Sequence, residues 1–132
     1  MISITSKSVY ALSALVELAH HEGGDPIPVS EIARRRELPS QFLEQLFGTL
    51  RRANIVSSRR GVKGGYILAK PANEITALEV VQTLDGEIAE EQLSVAPWGE
   101  VVGALRQQLA ERDLATLAEA ESSEAGGAMY YI

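Results

Sequence analysis

Apolar residues recur at helical spacing in several stretches of the chain, each bounded by residues that stop helices. In the first stretch Val9, Leu12, Leu15, Val16 and Ala19 share one helical face. This predicts a helix from residue 5 or 6 to about residue 21, ended by Gly23-Gly24-Asp25-Pro26. Residues 27–29 are too short for more than an extended lead-in. Ser30 is the expected N-cap of a second helix carrying Ile32, Ala33 and Arg34 to Arg36. Leu38-Pro39 closes that helix, because the residue before a proline avoids helical angles. Ser40 is the expected N-cap of a third, whose stripe of Leu43, Leu46, Phe47 and Leu50 is an i, i+3, i+4, i+7 set. Two short strands, near residues 55–58 and 66–68, then flank a turn over residues 59–65. A fourth helix follows Ile75-Thr76 with Leu78, Val80, Val81 and Leu84, and stops at Asp85-Gly86.

Residues 86–97 show no clear period and end at Pro97, which marks a connector. Trp98, Val101, Val102, Leu105 and Leu109 mark a long final helix to about Ala110, continuing or restarting through Leu114 and Leu117. Residues 122–128 are small, polar and glycine-containing, and are expected to be flexible. The last four, Met129-Tyr130-Tyr131-Ile132, are abruptly apolar. The pattern predicts a mainly α chain with a small β wing. It divides into a winged helix-turn-helix unit over residues 1–86, a connector and dimerisation helix over 87–121, and a flexible tail over 122–132.

Composition narrows the function. The chain has 132 residues, 45% of them apolar, and no cysteine. Disulfides, thiolate metal sites and thiol nucleophiles are therefore excluded, which fits a cytoplasmic protein. The first residues do not form a signal peptide. No stretch approaches the roughly 18 apolar residues of a membrane span, so no membrane partner is expected. The net charge of −6 hides a split. Residues 1–70 hold ten Lys or Arg against six Asp or Glu, a net of +4. Residues 71–132 hold two against twelve, a net of −10, and the halves sum to −6. A basic half joined to an acidic half suits a nucleic-acid-binding module attached to a protein-contacting one.

The third helix carries the chemistry that a duplex requires. Opposite its apolar stripe it presents Gln41, Glu44, Gln45, Gly48 and Arg52. Gln can pair bidentately with adenine, and Glu accepts from the cytosine amino group. Arg51 and Arg52 near the helix end complement its dipole and can reach phosphate. In the turn between the strands, Gly61, Gly64 and Gly65 permit a tight reversal while Arg59, Arg60 and Lys63 supply positive charge suited to a minor groove. Thr5, Ser6 and Lys7 add candidate phosphate contacts at the start of the first helix, and Ser40 joins the expected DNA-binding set at the start of the third. Each feature alone is ordinary surface. Their succession in this order favours double-stranded DNA as the partner.

Thr5-Ser6-Lys7 with Tyr10, Phe42-Leu43-Glu44-Gln45-Leu46 followed by Leu50-Arg51, Val56-x-Ser58-x-Arg60-Gly61, and Gly64-Gly65-Tyr66-x-Leu68 together resemble the winged-helix repressors of the Rrf type. That family includes iron–sulfur, nitric-oxide and cysteine-metabolism regulators. The resemblance is close over residues 1–86, and the later long helix fits the family's dimerisation helix. It implies base-reading positions at Gln41, Phe42, Glu44 and Gln45 and a wing contact at Arg60. Phe42 stands where many members have Tyr, and so lacks a hydroxyl. Iron–sulfur members carry three cysteines after the fourth helix, whereas residues 86–97 here contain neither cysteine nor histidine. A cluster needs thiolates or comparable ligands, so no iron–sulfur cluster and no other cofactor is expected. His20 and His21 are adjacent and face different directions on a helix, which argues against a metal site. No catalytic constellation stands out, and an enzyme is not expected.

Trp98, Val101, Val102, Leu105 and Leu109 are more apolar surface than a lone exposed helix tolerates, and a two-fold homodimer through this helix is expected. Paired half-sites about a helical turn apart also multiply the specificity of one small recognition helix. In the tail, a carboxylate beside Ile132 suits a pocket with backbone donors and an apolar wall. The ending resembles that of the family's cysteine-metabolism repressors and the isoleucine-ended tail with which serine acetyltransferase enters cysteine synthase (O-acetylserine thiol-lyase). The resemblance implies that Met129, Tyr130, Tyr131 and Ile132 bind cysteine synthase as the sensing partner, with Ile132 in the substrate carboxylate site and O-acetylserine in competition. The expected function is a dimeric repressor of cysteine and sulfur metabolism genes. Two alternatives stay open: a cluster-free family member answering to another small molecule, and a protein-interaction module with vestigial DNA binding.

Overall fold

A computed structural model of the chain describes residues 4–88 and 97–130, with backbone alone for 125–130. The elements are α1 (Ser6–His20), α2 (Val29–Arg36), α3 (Ser40–Arg52), β1 (Val56–Arg59), β2 (Gly65–Leu68), α4 (Ala77–Asp85), α5 (Trp98–Ala110) and α6 (Leu114–Tyr130). A 3-10 turn at Ala72–Glu74 precedes α4. The molecule is mainly helical with a two-stranded antiparallel wing, as the pattern predicts.

The stripes of α3 and α4 are buried as their spacing requires, but that of α1 is turned. Leu15 and Val16 are buried, Leu12 and Ala19 only partly, and Val9 is 58% exposed, the inward face being completed by Ala11, Ala14 and Leu18. Ala11, Ala14, Leu15 and Leu18 of α1, Ile32 of α2, Leu43, Phe47 and Leu50 of α3, Val80 of α4 and Leu114 of α6 form one core. Phe47 is fully buried and meets Tyr66 of β2 edge-on, with ring centroids 5.0 Å apart, which ties the wing to α3. Two capping expectations shift by one or two residues. The residue before α2 is Pro28, not Ser30, and the residue before α3 is Pro39, not Ser40; neither helix has a side-chain cap. Each proline is extended and enforces the chain direction entering the helix. The stop of α2 comes from Glu37, which adopts the left-handed conformation (φ 55) while Leu38 N–H reaches back to the Ala33 carbonyl at 2.9 Å.

The wing has one strand contact that the sequence pattern does not announce. Ile27, read as part of a lead-in, exchanges both backbone hydrogen bonds with Tyr66, at 3.0 and 2.9 Å. Gly65 is needed for this approach, because a Cβ there would lie 2.3 Å from the Ile27 carbonyl carbon. Within the hairpin, Val56 pairs with Leu68 and Arg59 with Gly65.

The C-terminal helical region breaks and restarts. The Asp113 side chain accepts from Thr116 N–H at 2.8 Å, and Leu114 N–H donates to the Ile75 carbonyl at 2.9 Å. These bonds anchor the start of α6 beside α4. From there the helical backbone runs on to Tyr130, through the segment whose composition suggested flexibility from residue 122. Ala and Glu dominate α6 before Gly126, and elongation from a docked turn is far easier than nucleation. Most of the expected connector, residues 89–96, lies outside the described residues, as do Tyr131 and Ile132.

Candidate nucleic-acid interface

On α3 the core takes Leu43, Leu46, Phe47 and Leu50, leaving Ser40, Gln41, Glu44, Gln45, Arg51 and Arg52 exposed. Arg59, Arg60 and Lys63 are exposed in the wing. Glu44, Arg59, Arg60 and Ser30 line one open groove together with Gly61 and Gly64. The structure therefore places an acceptor on α3 in one groove with two exposed guanidinium groups on the wing. Gly64 makes the wing turn possible, since a Cβ would lie 2.6 Å from the Arg59 carbonyl oxygen.

Phe42 and Thr5 also make contacts within the protein that the sequence did not suggest. Phe42 is half-buried, with its ring edge-on to Tyr10 at 5.8 Å. It packs α3 against α1. Thr5 caps α1 by accepting from Lys7 N–H (3.2 Å), while its own hydroxyl donates to Asp85 Oδ1 at 2.6 Å. Asp85 Oδ2 accepts from Thr5 N–H (2.8 Å) and from the buried Ser8 hydroxyl (2.6 Å). Thr5 thus has no side-chain donor left for phosphate, and the Asp85 carboxylate already occupies the start of α1. Burial pushes the Asp85 pKa up, but the hydrogen bonds from Ser8 and Thr5 and the Lys7 charge outweigh it and hold the carboxyl below its usual range. Ser6 and Lys7 remain exposed beside it.

The basic first half is also less free than its count implies. Arg34 and Arg35 pair with Glu31, Arg35 and Arg36 with Glu17, and Arg36 with Glu121. The positive charge left for a polyanion is concentrated on Lys7, Arg51, Arg52, Arg59, Arg60 and Lys63. The adjacent histidines contact carboxylates separately, His20 with Glu121 and His21 with Glu17.

Of the thirteen residues of α5 only Gly99 is buried. Trp98 and Val101 are 67% and 62% exposed, and Val102, Leu105 and Leu109 are half-buried. The side chains of Met129 and Tyr130, like Tyr131 and Ile132 entirely, lie outside the described residues.

A family model for Rrf2, described as an iron-dependent transcriptional regulator, matches residues 4–121. The chain belongs to the Rrf2 family. It is a DNA-binding transcriptional regulator rather than an enzyme. CymR of Bacillus subtilis (strain 168) is 33% identical over 138 residues, covering 99% of this chain and 100% of CymR. IscR of Photorhabdus laumondii is 41% identical over 85 residues, covering 64% of this chain and 52% of IscR, so the chain spans about half the length of that relative. The solved structure of B. subtilis CymR, described as the global cysteine regulator, superposes with a TM-score of 0.83 at 33% identity, covering 91% of this chain and 98% of that one. The oxidized form of Staphylococcus aureus CymR gives a TM-score of 0.76 at 38% identity, covering 89% of this chain and 97% of that one.

The family description invokes iron, and this Rrf2 chain does not fit a cluster. Iron–sulfur clusters are held by thiolates, and there is no cysteine anywhere in the sequence. Among the described residues no three His, Asp or Glu side chains group so as to hold a metal ion. No described helix is long and apolar enough to cross a membrane. Sequence reasoning missed the Asp85 cap and the Ile27–Tyr66 pairing, whose partners lie far apart in the chain and leave no local signal.

Proposed function

We propose that this Rrf2 regulator binds an operator as a homodimer in the cytoplasm and represses genes of cysteine and sulfur metabolism. In this reading α3 enters the major groove with Gln41, Glu44 and Gln45 on base edges. Arg60, flanked by Arg59 and Lys63, reaches the neighbouring minor groove, and Ser6, Lys7, Ser40, Arg51 and Arg52 hold phosphates. The exposed face of α5 joins the two protomers, which sets the half-site spacing. The end-to-end match to CymR, a protein described as a global cysteine regulator, carries the assignment. The input is cysteine synthase, engaged by Met129, Tyr130, Tyr131 and Ile132. Support for this is the same full-length match together with the absence of any thiolate for a cluster sensor.

The test uses a duplex selected from random-sequence DNA by the wild-type protein. Glu44→Ala removes a base-edge acceptor and should cost about 1 to 3 kcal/mol in operator affinity. Arg60→Ala should weaken binding and relax base preference at one position. Unchanged affinity for both at fixed salt would sink the DNA-reading assignment. Calorimetry with the host's cysteine synthase tests the input separately. Ile132→Glu should abolish the heat of binding, and equal binding by both chains, or none by either, removes cysteine synthase as the partner.

A further inference from the structure

Arg36 is the last residue of α2, and only Glu37, Leu38 and Pro39 separate it from α3. The direction of that final turn is therefore passed almost directly to the recognition helix. The Arg36 side chain is only 13% exposed and is held from two other helices. Its Nε donates to Glu17 Oε1 of α1 at 3.0 Å. Its Nη1 and Nη2 donate to the two carboxylate oxygens of Glu121 on α6, at 2.6 and 2.8 Å. Glu121 Oε1 also meets His20 Nε2 at 2.9 Å. Along α6, Glu121 follows Leu114 and Ala118 on the face that enters the core, where these two are buried. The helix seats its first turns with apolar contacts and then grips the end of α2 through a guanidinium–carboxylate fork. Such a fork fixes direction as well as distance.

We propose that Arg36 is a positioning residue for DNA reading: clamped between Glu17 and Glu121, it sets the α2–α3 turn, so that the seating of α6 sets the orientation of α3. Arg36 is not itself a phosphate contact, because its guanidinium faces carboxylates and is nearly closed off from solvent. Hydrogen bonds from Arg36 are the main cause that holds the Glu121 carboxyl down to about 2, so the clamp stays ionised at neutral pH. A partner bound towards the end of α6 has a direct mechanical route to α3, with Glu121 about 12 Å along the helix from Met129. The inference rests on α3 being the DNA-reading helix, not on the identity of that partner.

The test measures anisotropy of the selected duplex at fixed salt, with full-length protein and the folded fraction checked by urea titration at the assay temperature. Glu121→Gln keeps the shape and removes the charge, and should lower operator affinity about twofold to fivefold. Arg36→Lys keeps the charge and loses the fork, and should lower it by a similar factor. Glu121→Asp should restore part of the loss. The slope of affinity against salt should stay at its wild-type value in all three, because no phosphate contact is removed. General electrostatics gives the opposite sign, since removing a negative charge raises affinity for a polyanion. Unchanged or increased affinity for Glu121→Gln overturns the proposal. Glu44→Ala runs in parallel on the same duplex. If it weakens binding while Glu121→Gln does not, only the clamp fails; if neither has an effect, the reading of α3 fails first.

Discussion

Replacing Gly65 by alanine isolates the contact that holds the wing to the body. A Cβ at this position would lie 2.3 Å from the Ile27 carbonyl carbon and 2.5 Å from both the Ile27 oxygen and the Pro28 nitrogen. Carbon atoms at rest sit about 3.5 to 4 Å apart, so the two segments must separate by about 1 Å. The hydrogen bonds between Ile27 and Tyr66, at 3.0 and 2.9 Å, do not survive that separation. Their loss costs roughly 1 kcal/mol each. The backbone at Gly65 also has φ 153, and a side chain there adds about 1 to 3 kcal/mol of strain. The expected loss is therefore about 3 to 5 kcal/mol, a large part of the roughly 5 to 15 kcal/mol that holds a domain folded. Gly61 provides the control. Its φ is 113 and a Cβ there would meet nothing within 4 Å, so Gly61→Ala suffers the strain alone. Urea unfolding should place Gly65→Ala about 2 kcal/mol below Gly61→Ala, with the Ile27 and Tyr66 amides losing their protection from hydrogen exchange. Equal stability of the two variants, or persistent protection of those amides, would refute the reasoning.

Asp85 and Glu121 both have folded pKa values below their ordinary 3.8 and 4.5. Their contributions are fully present above those ordinary values and are lost as pH falls through the folded ones, about 2 for Glu121. Asp85→Asn should flatten this acid limb in urea titrations between about pH 5 and 2, and an unaltered limb would remove Asp85 as a contributor. Gly48→Ala should stabilise α3 by about 1 kcal/mol, since the added methyl meets only Arg52 Nη1 at 3.7 Å; it should nevertheless weaken operator binding if the duplex backbone approaches here. Val101→Asp places a charge on the exposed face of α5, and in the proposed homodimer this should shift sedimentation towards monomer.

The helices and the wing were legible because their signals are local. The i, i+3, i+4, i+7 stripe of α3 and the glycine-rich turn are visible within a dozen residues, and so are the exposed Gln41, Glu44, Gln45 and Arg60. What escaped depends on partners far away in the chain. Asp85 caps a helix that begins 79 residues earlier, and nothing around either end announces the pair. Arg36 looks like one of three consecutive surface arginines, yet it alone of the three meets a glutamate on α6. Phe42 carried an expectation of base contact from the family resemblance alone, and the sequence near it does not announce its packing partner, Tyr10, which belongs to another element. From residue 122 composition alone suggests a loop, because small and polar residues allow one, but they do not prevent an anchored helix from continuing, and the backbone is helical to Tyr130.

The pairing of Ile27 with Tyr66 also governs what the wing is protected from. A two-stranded hairpin has two open edges, and open edges recruit strands from other chains. Here one edge of β2 is closed at its middle by Ile27. The other strand is only four residues long and ends in exposed Ser58 and Arg59, a short and charged edge that discourages strand addition. The positive charge of Arg59 at that edge therefore also opposes self-association, and neutralising it should raise the tendency of the wings to pair with one another.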